Sequence, residues 1–263
     1  MTCQITVIKL EGYGKWTLKL GSDREHQLQM LQAFMYADLQ KYFSTKNGLV
    51  FSNRFDEFVA VTNQISLPDH KEIHDKISKK NSEIEISMTI GIGKTPLESD
   101  KKISKIKKDK KNQVFENIFA LEQEHLQLQE RNISNLQLPE KNLKIIHIDV
   151  DSSTALIKNL STYEITNLLL KLHLKISDLF LKEESLTFFL GGDNFMVVAR
   201  SGLDINKITS TIDQLIKSSG IKLNCGIGNG NNARTAAKYA TKSLDQIREY
   251  RKSGKTLNVF ESN

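Results

Sequence analysis

The chain is poor in cysteine, with only two such residues among 263. Cys3 and Cys225 stand far apart, each within a segment that has β-strand character. Two isolated cysteines exclude a disulfide framework and a cysteine-based zinc site. We therefore expect two buried thiols in a protein of a reducing compartment, the cytoplasm.

Long apolar runs are also missing. No segment reaches the roughly 18 apolar residues of a membrane span, and the chain does not open with a signal-peptide pattern. Hydrophobic residues make up 39% and charged residues 26% of the chain, as in globular proteins in water, so no membrane partner is expected. The length allows one large domain or two of about 130 residues, each with its own core.

Much of the excess positive charge, +6 overall, lies in one lysine-rich run. Lys101–Lys111 holds seven lysines but no arginine and no aromatic residue. A surface on which bases stack is therefore missing, and nucleic acid is not expected as a partner. We interpret the run as a solvated helix face or loop, and a generally positive field would attract a nucleoside triphosphate.

The stretch Ser185–Arg200, SLTFFLGGDNFMVVAR, predicts a tight β-hairpin, because two apolar runs flank a short turn of glycine and aspartate. Gly191 and Gly192 let a ligand approach the backbone closely, since they carry no Cβ atom. Asp193 stands at the tip of the turn. By itself this pattern fits equally an ordinary hairpin whose aspartate bonds its own turn or a hairpin that grips a metal–phosphate complex.

A second acidic segment favours the metal. Lys144–Val150 reads as a buried strand that ends at Asp149 and Asp151. Carboxylates at the ends of adjacent strands can bridge two magnesium ions roughly 4 Å apart, and those ions clamp triphosphate oxygens. The two segments together resemble the palm-like catalytic domains of nucleotidyl cyclases, in particular the GGDEF group of diguanylate cyclases.

This resemblance implies a set of site residues. Two Mg²⁺ ions are implied at Asp149, Val150 and Asp193, with Asp149 and Asp193 as the catalytic pair. The residues implied to bind GTP are Gly191, Gly192 and Asn194 of the turn, Ser152, Ser153 and Thr154 at a helix N-terminus, and Arg251 and Lys255 of an element similar to K-x-x-G-R.

Three departures separate the chain from diguanylate cyclases. The fourth residue of the hairpin motif is Asn194 rather than glutamate. Ile157-Lys158 stands where those enzymes carry the Asn-Asp pair that reads guanine, and their R-x-x-D element is absent. Guanine is therefore expected to be held differently here.

The two halves of the chain repeat one another. Segments match in the same order at offsets of 138, 137 and 135 residues: VIKLE with IIHID, FSNRFDEF with FFLGGDNF, and ISMTIGIG with IKLNCGIG. This predicts a duplication of the ferredoxin-like order β-α-β-β-α-β. The predicted class is α+β, with antiparallel sheets and helices on one face. The predicted domains are 1–140, which ends in the lysine-rich segment and a connecting helix over Asn112–Arg131, and 141–263.

The first half keeps carboxylates but loses the glycines. Glu11 and Asp56 align with Asp149 and Asp193, whereas Asn53-Arg54-Phe55 stands in place of the glycine turn. Bulky side chains in this hairpin hinder the approach of phosphates, so metals are expected in the second half. Glu11, Arg54 and Asp56 are either relics of the duplication or contributors that reach the nucleotide across a domain or subunit interface.

Over Thr6–Arg248 the sequence is similar to the archaeal GTP cyclohydrolase III family, on the segments VIKLEGYGKW, GLVFSNRFDEF and FFLGGDNFM. The resemblance implies hydrolysis of the imidazole ring of GTP with the formyl group retained, and cleavage of the triphosphate to two phosphates. It also implies Mg²⁺ dependence, activation by K⁺ or NH₄⁺, a homo-oligomer (tetramer or dimer), and a role in flavin or deazaflavin synthesis.

Two other functions remain open at this point. One is a nucleotidyl or dinucleotide cyclase that uses the same metals, and the other is a domain that binds GTP as a sensor without turnover. The carboxylates and glycines of the second half disfavour the sensor. No motif places a histidine as the acid or base for ring opening, since His147 lies on a buried strand and the others on predicted helices.

Overall fold

The computed structural model describes residues 2–54, 56–106, 108–122, 143–151 and 160–262. These residues form two compact units. One is built from Cys3–Gly93 and residues 98–122, the other mainly from residues 143–151 and 160–262. The predicted domain boundary at residue 140 lies outside the described residues.

The elements of the two halves follow one another in the same order. The first half contains β1 (Cys3–Glu11), α1 (Tyr13–Lys19), α2 (Glu25–Thr45), β2 (Leu49–Arg54), β3 (Glu57–Val61), α3 (Leu67–Lys80), β4 (Glu85–Gly93), α4 (Pro96–Lys105), β5 (Gln113–Phe115) and β6 (Ile118–Ala120). The second half contains β7 (Leu143–Val150), α5 (Thr162–Lys182), β8 (Leu186–Gly191), β9 (Asn194–Ala199), α6 (Ile205–Ser219), β10 (Leu223–Gly230), α7 (Ala233–Lys252) and β11 (Val259–Ser262).

The strand orders of the two sheets correspond. The first sheet runs β2-β3-β1-β4-β6-β5 and the second β8-β9-β7-β10-β11. In both, the strand at the centre pairs antiparallel with its two neighbours, and the last shared pair, β4 with β6 or β10 with β11, is parallel. The predicted α+β class with a duplicated ferredoxin-like order is confirmed.

Alternation along the strands directs one row of side chains toward two helices. In the second half Ile146, Ile148 and Val150 of β7 pack in one core with apolar residues of α5 and α6. In the first half Ile8 and Leu10 of β1 do the same with α2 and α3. Each half therefore buries its own core, and the carboxyl end of the central strand is fixed by it.

A third helix in each half packs on the opposite face of the sheet. A Cβ atom on Gly228 of β10 would lie 2.2 Å from the carbonyl oxygen of Ala236 and from the amide nitrogen of Ala240 in α7. A Cβ atom on Gly91 of β4 would lie 2.5 Å from the carbonyl oxygen of Ser99 in α4. Two helices of each half lie on one face of the sheet, as predicted. The helices α4 and α7 lie on the other face, where glycines of β4 and β10 leave room for them.

The predicted connecting helix over Asn112–Arg131 is wrong for residues 112–121. Residues 113–115 and 118–120 are the strands β5 and β6, joined through Asn117 at a positive φ of 58°. Ile118, Phe119 and Ala120 are buried, and β6 pairs with β4. Their apolar side chains thus complete a sheet rather than a helix face; the rest of the predicted helix, 123–131, lies outside the described residues.

The lysine-rich run is divided between two kinds of structure. Lys101–Lys105 forms the end of α4, and a loop follows it. Among the helices that the structure describes, none is long and apolar enough to cross a membrane.

Candidate active site

The carboxyl end of β7 and the β8–β9 turn meet in the second half. Asp149 of β7 pairs directly with Asn194 of β9. The next residue, Val150, donates its backbone N–H to the carbonyl oxygen of Asp193 at 3.2 Å. The two aspartates predicted from sequence therefore lie at the same edge of the sheet, as expected of antiparallel neighbours.

The glycine turn leaves its backbone open. Gly191 and Gly192 have φ values of 93° and 60°, a left-handed conformation that costs other residues about 1–2 kcal/mol. A Cβ atom at either position would meet no atom of the described residues within 4 Å. Those residues therefore leave the space beside this turn open to a ligand, and the predicted tight hairpin is confirmed.

Asp149 is a buried carboxylate with one paired oxygen. Its side chain accepts a hydrogen bond at Oδ2 from Nη2 of Arg248, at 2.8 Å. Its Oδ1 is buried and has no hydrogen-bond partner among the residues that the structure describes. A buried carboxylate oxygen without a partner is costly, so Oδ1 is poised to receive a cation or a donor from a ligand.

Asp193 is exposed and takes part in a short chain of hydrogen bonds. Asn194 Nδ2 donates to Asp193 Oδ1 at 2.7 Å, and Asn194 Oδ1 lies 3.0 Å from His147 Nε2. Burial lowers the pKa of the His147 imidazole, although the contact with Asn194 opposes this. Sequence reasoning left His147 without a role; its place two residues before Asp149, on the same face of β7, is the signal that points to it.

The residues present fit a hard divalent cation. Asp149 Oδ1, the Asp193 carboxylate and the backbone of Val150 offer oxygen ligands, which Mg²⁺ prefers. Within the described ranges no three His, Cys, Asp or Glu side chains cluster as a complete metal site. Mg²⁺ does not require such a cluster, because it commonly keeps waters and substrate phosphates beside one or two carboxylates. The fit therefore depends on a nucleotide to complete it.

The predicted phosphate ligands lie at the end of α7. Arg251 Nη1 is 2.9 Å from Asp151 Oδ2, and Arg251 Nη2 donates to Asn224 Oδ1 at 2.5 Å. Lys255 Nζ lies 5.7 Å from the centre of the Tyr250 ring. Arg251 is thus held beside the strand end that carries Asp149. Ser152, Ser153 and Thr154 lie outside the described residues, and the roles of all these residues stay predictions.

A cavity of about 570 Å³ opens beside Asp193. Its walls come from the first turns of α5 and from the hairpin, with residues Val150, Thr162, Ile165, Thr166, Leu169, Phe189, Gly192 and Asp193. The mixture of an aromatic ring, aliphatic side chains and a few hydroxyls is typical of a small-molecule site, and so is the volume. A flat, partly apolar group bound here would leave its charged part at the turn.

The first half repeats this geometry with different residues. Leu10 donates its N–H to the carbonyl oxygen of Asp56 at 2.9 Å, the counterpart of the bond from Val150 to Asp193. Lys9 therefore occupies the place of Asp149. The sequence alignment of Glu11 with Asp149 is wrong by two residues, because the strand register places Glu11 at the position of Asp151.

The predicted contributors of the first half are already paired. Ser87 Oγ donates to Glu11 Oε1 at 2.5 Å, and Lys108 Nζ also contacts Glu11. Arg54 Nη2 lies 2.5 Å from Glu57 Oε2 across the hairpin end. Asp56 keeps the backbone role described above. Glu11 and Asp56 are only half-buried, whereas Asp149 is buried with one oxygen unpaired among the described residues.

Comparison with known proteins agrees with this geometry. The model of the GTP cyclohydrolase III family matches residues 3–261. This chain belongs to the GTP cyclohydrolase III family. It is 34% identical to GTP cyclohydrolase III of Methanobrevibacter smithii, covering 94% of each chain. It is 32% identical to that of Methanocaldococcus jannaschii, covering 93% of this chain and 88% of the relative.

Solved structures that resemble the chain are more distant. The GGEEF domain of a diguanylate cyclase from Vibrio cholerae is 14% identical, with a TM-score of 0.37, over 46% of this chain and 84% of that one. A bacterial light-regulated adenylyl cyclase is 12% identical, with a TM-score of 0.35, over 95% and 83%. Likenesses at this level carry no functional conclusion.

Proposed function

We propose that this chain is a GTP cyclohydrolase that opens the imidazole ring of GTP and keeps the formyl group. The product is 2-amino-5-formylamino-6-ribosylamino-pyrimidinone 5′-phosphate, with two phosphates released from the triphosphate. The family match over residues 3–261 carries this proposal. The adjacent Asp149 and Asp193 beside an open glycine turn support it from the geometry.

In this proposal the cavity holds the guanine base. Phe189 and Ile165 offer apolar surface to the ring, and Thr162 and Thr166 offer hydroxyls to its polar edge. Val150, Gly192 and Asp193 also line the cavity, so that it reaches the glycine turn. A base bound there positions its triphosphate at the turn, where an unhindered backbone accepts it.

Asp149, Asp193 and Val150 would hold the Mg²⁺ ions, whose positive charge neutralises the triphosphate when bound. Arg251 adds a fixed positive charge at the same strand end, since Asp151 and Asn224 hold it there. Lys255 follows four residues later and extends the positive region. These residues orient the phosphates, and the cavity excludes water from the base.

Product identification tests this function directly. After incubation with GTP, Mg²⁺ and K⁺, we expect mass spectrometry to show the formylaminopyrimidine monophosphate and two equivalents of phosphate. The ultraviolet spectrum changes as the imidazole ring opens. Pyrophosphate released with an unchanged guanine spectrum would instead establish a cyclase, and GTP bound without turnover would establish a sensor.

A 2′,3′-dideoxy analogue of GTP separates hydrolase from cyclase more sharply. A cyclase needs a ribose hydroxyl as its nucleophile, whereas ring opening consumes water. We expect slower but measurable ring opening and phosphate release from the analogue, because sugar contacts are weakened. The cyclohydrolase would be contradicted if the analogue gave neither ring opening nor phosphate release while GTP released pyrophosphate normally.

The cofactor proposal is that Mg²⁺ serves the enzyme, with K⁺ or NH₄⁺ as activator. Dialysis against a zinc-selective chelator followed by assay in Mg²⁺ should leave turnover intact. Omission of K⁺ should reduce the rate, and NH₄⁺ should restore it. Activity that returns only with zinc would refute the oxygen-ligand site.

Assembly into a homo-oligomer is supported by an apolar stripe on the outer face of α5. Leu170, Leu174 and Leu181 lie at helical spacing there and are 47%, 64% and 45% exposed. Exposed leucines in a row favour a protein contact. Light scattering of the purified chain should give a dimer or tetramer, and Leu174→Glu should shift it toward the monomer.

A further inference from the structure

Arg248 contacts the buried carboxylate of the candidate site, although no motif pointed to it. It lies on α7, 99 residues from Asp149 in the chain, and its Nη2 donates to Asp149 Oδ2 at 2.8 Å. Its Nη1 donates to Asp245 Oδ1 at 3.2 Å. The guanidinium therefore joins a residue of its own helix to the end of β7.

The contact occupies one oxygen of the Asp149 carboxylate. Asp149 is 5% exposed, so its charge has little water to stabilise it. With Oδ2 bonded to the guanidinium, Oδ1 is the oxygen that has no hydrogen-bond partner among the described residues. A planar guanidinium with two donors in fixed directions holds a carboxylate more strictly than a flexible ammonium does.

We propose that Arg248 is a positioning residue, which holds Oδ2 of Asp149 so that Oδ1 is presented to the divalent cation of the substrate complex. This inference rests on the proposed metal site at Asp149 and Asp193. Partners of this kind orient the ligand, and their loss typically costs about 10–100-fold in metal affinity or activity.

The first half offers an internal contrast. Its counterpart of Asp149 is Lys9, as the strand register requires. The first-half counterpart of α7 is α4, which has 10 residues, whereas α7 has 20. The extra turns of α7 are those that carry Asp245, Arg248 and Arg251. The longer helix and the carboxylate that it holds thus occur in the same half.

Metal titration without nucleotide tests this inference. Mn²⁺ takes the same oxygen ligands as Mg²⁺ and is detected directly by electron paramagnetic resonance. Arg248→Ala is expected to weaken Mn²⁺ binding by about 10-fold or more. Lys252→Ala removes one positive charge from the same helix, and should leave the affinity unchanged. Unchanged or tighter binding by Arg248→Ala would overturn the proposal.

Arg248→Lys separates geometry from charge. It keeps the positive charge but loses the planar fork, so we expect binding several-fold weaker than in the natural chain. Equal binding would show that charge alone is needed and would overturn the positioning role. This variant also decides the question if Arg248→Ala does not fold, which thermal melting monitors.

Two further measurements distinguish this inference from the proposed site itself. Asp149→Asn should abolish Mn²⁺ binding; if it binds like the natural chain, the metal site is wrong and the role of Arg248 falls with it. If Asp149→Asn binds Mn²⁺ weakly while Arg248→Ala binds it normally, the metal site stands and only the role of Arg248 is rejected. In turnover assays, excess Mg²⁺ should restore much of kcat to Arg248→Ala, which a purely structural defect would not allow.

Discussion

The two halves of this chain share a fold and a backbone contact but differ in the side chains around it. Leu10 bonds to Asp56 as Val150 bonds to Asp193. One residue earlier, the first half carries Lys9 and the second Asp149. A lysine at this point places a positive charge where a cation would bind, so the first half cannot repeat the chemistry proposed for the second.

The cavities of the two halves also differ, both in volume and in the residues that line them. Tyr36 stacks on Phe58 with ring centres 6.2 Å apart, and His173 stacks on Phe195 at 6.0 Å. The cavity beside Tyr36 and Phe58 measures about 250 Å³, against about 570 Å³ beside the hairpin of the second half. Arg54 lines the smaller cavity, whereas glycine lines the larger one.

A duplicated fold must keep the apolar residues that pack its two cores. Ile8 and Leu10 and their counterparts Ile148 and Val150 stay apolar, since they pack against helices. Positions that face a ligand carry no such constraint and diverge in charge and size. The comparison can be tested by changing each half toward the other.

The largest effect is expected at the two carboxylates. Asp149→Asn and Asp193→Asn should each lower kcat by two or more orders of magnitude with the fold intact. A bound metal stabilises the reaction by several kcal/mol, and each factor of ten corresponds to about 1.36 kcal/mol. Phosphate release under saturating GTP measures the effect.

Asp56→Asn is the matched control in the first half and should be milder, because its described role is a backbone one. Lys9→Asp should create no second active site, since the glycine turn is missing there. If Asp56→Asn lowered kcat more than Asp193→Asn does, the assignment of the site to the second half would be wrong.

Gly228→Ala should be the most destabilising of the glycine substitutions. Its new Cβ would meet backbone atoms of α7 at 2.2 Å on two sides, and overpacking of this kind costs about 1–3 kcal/mol or more. Gly91→Ala should cost less, because its new Cβ would meet one backbone atom, the Ser99 oxygen at 2.5 Å, and its other close neighbours belong to the Ile103 side chain, which can move. The free energies of unfolding in urea compare the two, and the reverse order would contradict the packing argument.

Gly192→Ala should cost about 1 kcal/mol of stability, from its positive φ alone, since no atom of the described residues lies within 4 Å of the new Cβ. Its main effect should be a higher KM for GTP, because the methyl group stands where phosphates approach. Gly202→Ala is a suitable control, as its Cβ also meets open space. A normal KM would show that the turn does not face the nucleotide.

The smallest effect concerns the pH dependence of stability. Burial lowers the pKa of His173, so the unfolded chain binds a proton more readily than the folded one. Stability is therefore lost as the pH falls from about 6.5 toward the folded pKa. His173→Tyr copies Tyr36 of the first half and should reduce this loss. Denaturation at pH 7.5 and 5.5 measures the difference, and equal losses in both proteins would contradict the assignment.

Much of the fold was predictable from the sequence. Repeated segments at nearly constant offset predicted the duplication, and apolar runs around Gly191–Asp193 predicted the hairpin. The strand around Ile118 could not be predicted from the sequence, because a short apolar stripe fits either a helix or a strand. Its pairing with β4 decided the outcome.

The sequence by itself determined the local elements and the residue types at the site: a strand that ends in Asp149 and an open turn at Asp193. These depend on neighbouring residues, whose alternation and turn chemistry can be read directly. The tertiary structure was needed to show that Lys9 rather than Glu11 corresponds to Asp149, and that Arg248 and His147 contact residues of the candidate site. Register and distant contacts depend on how a whole core packs, and here the glycine face of β10 brings α7 against the strand end.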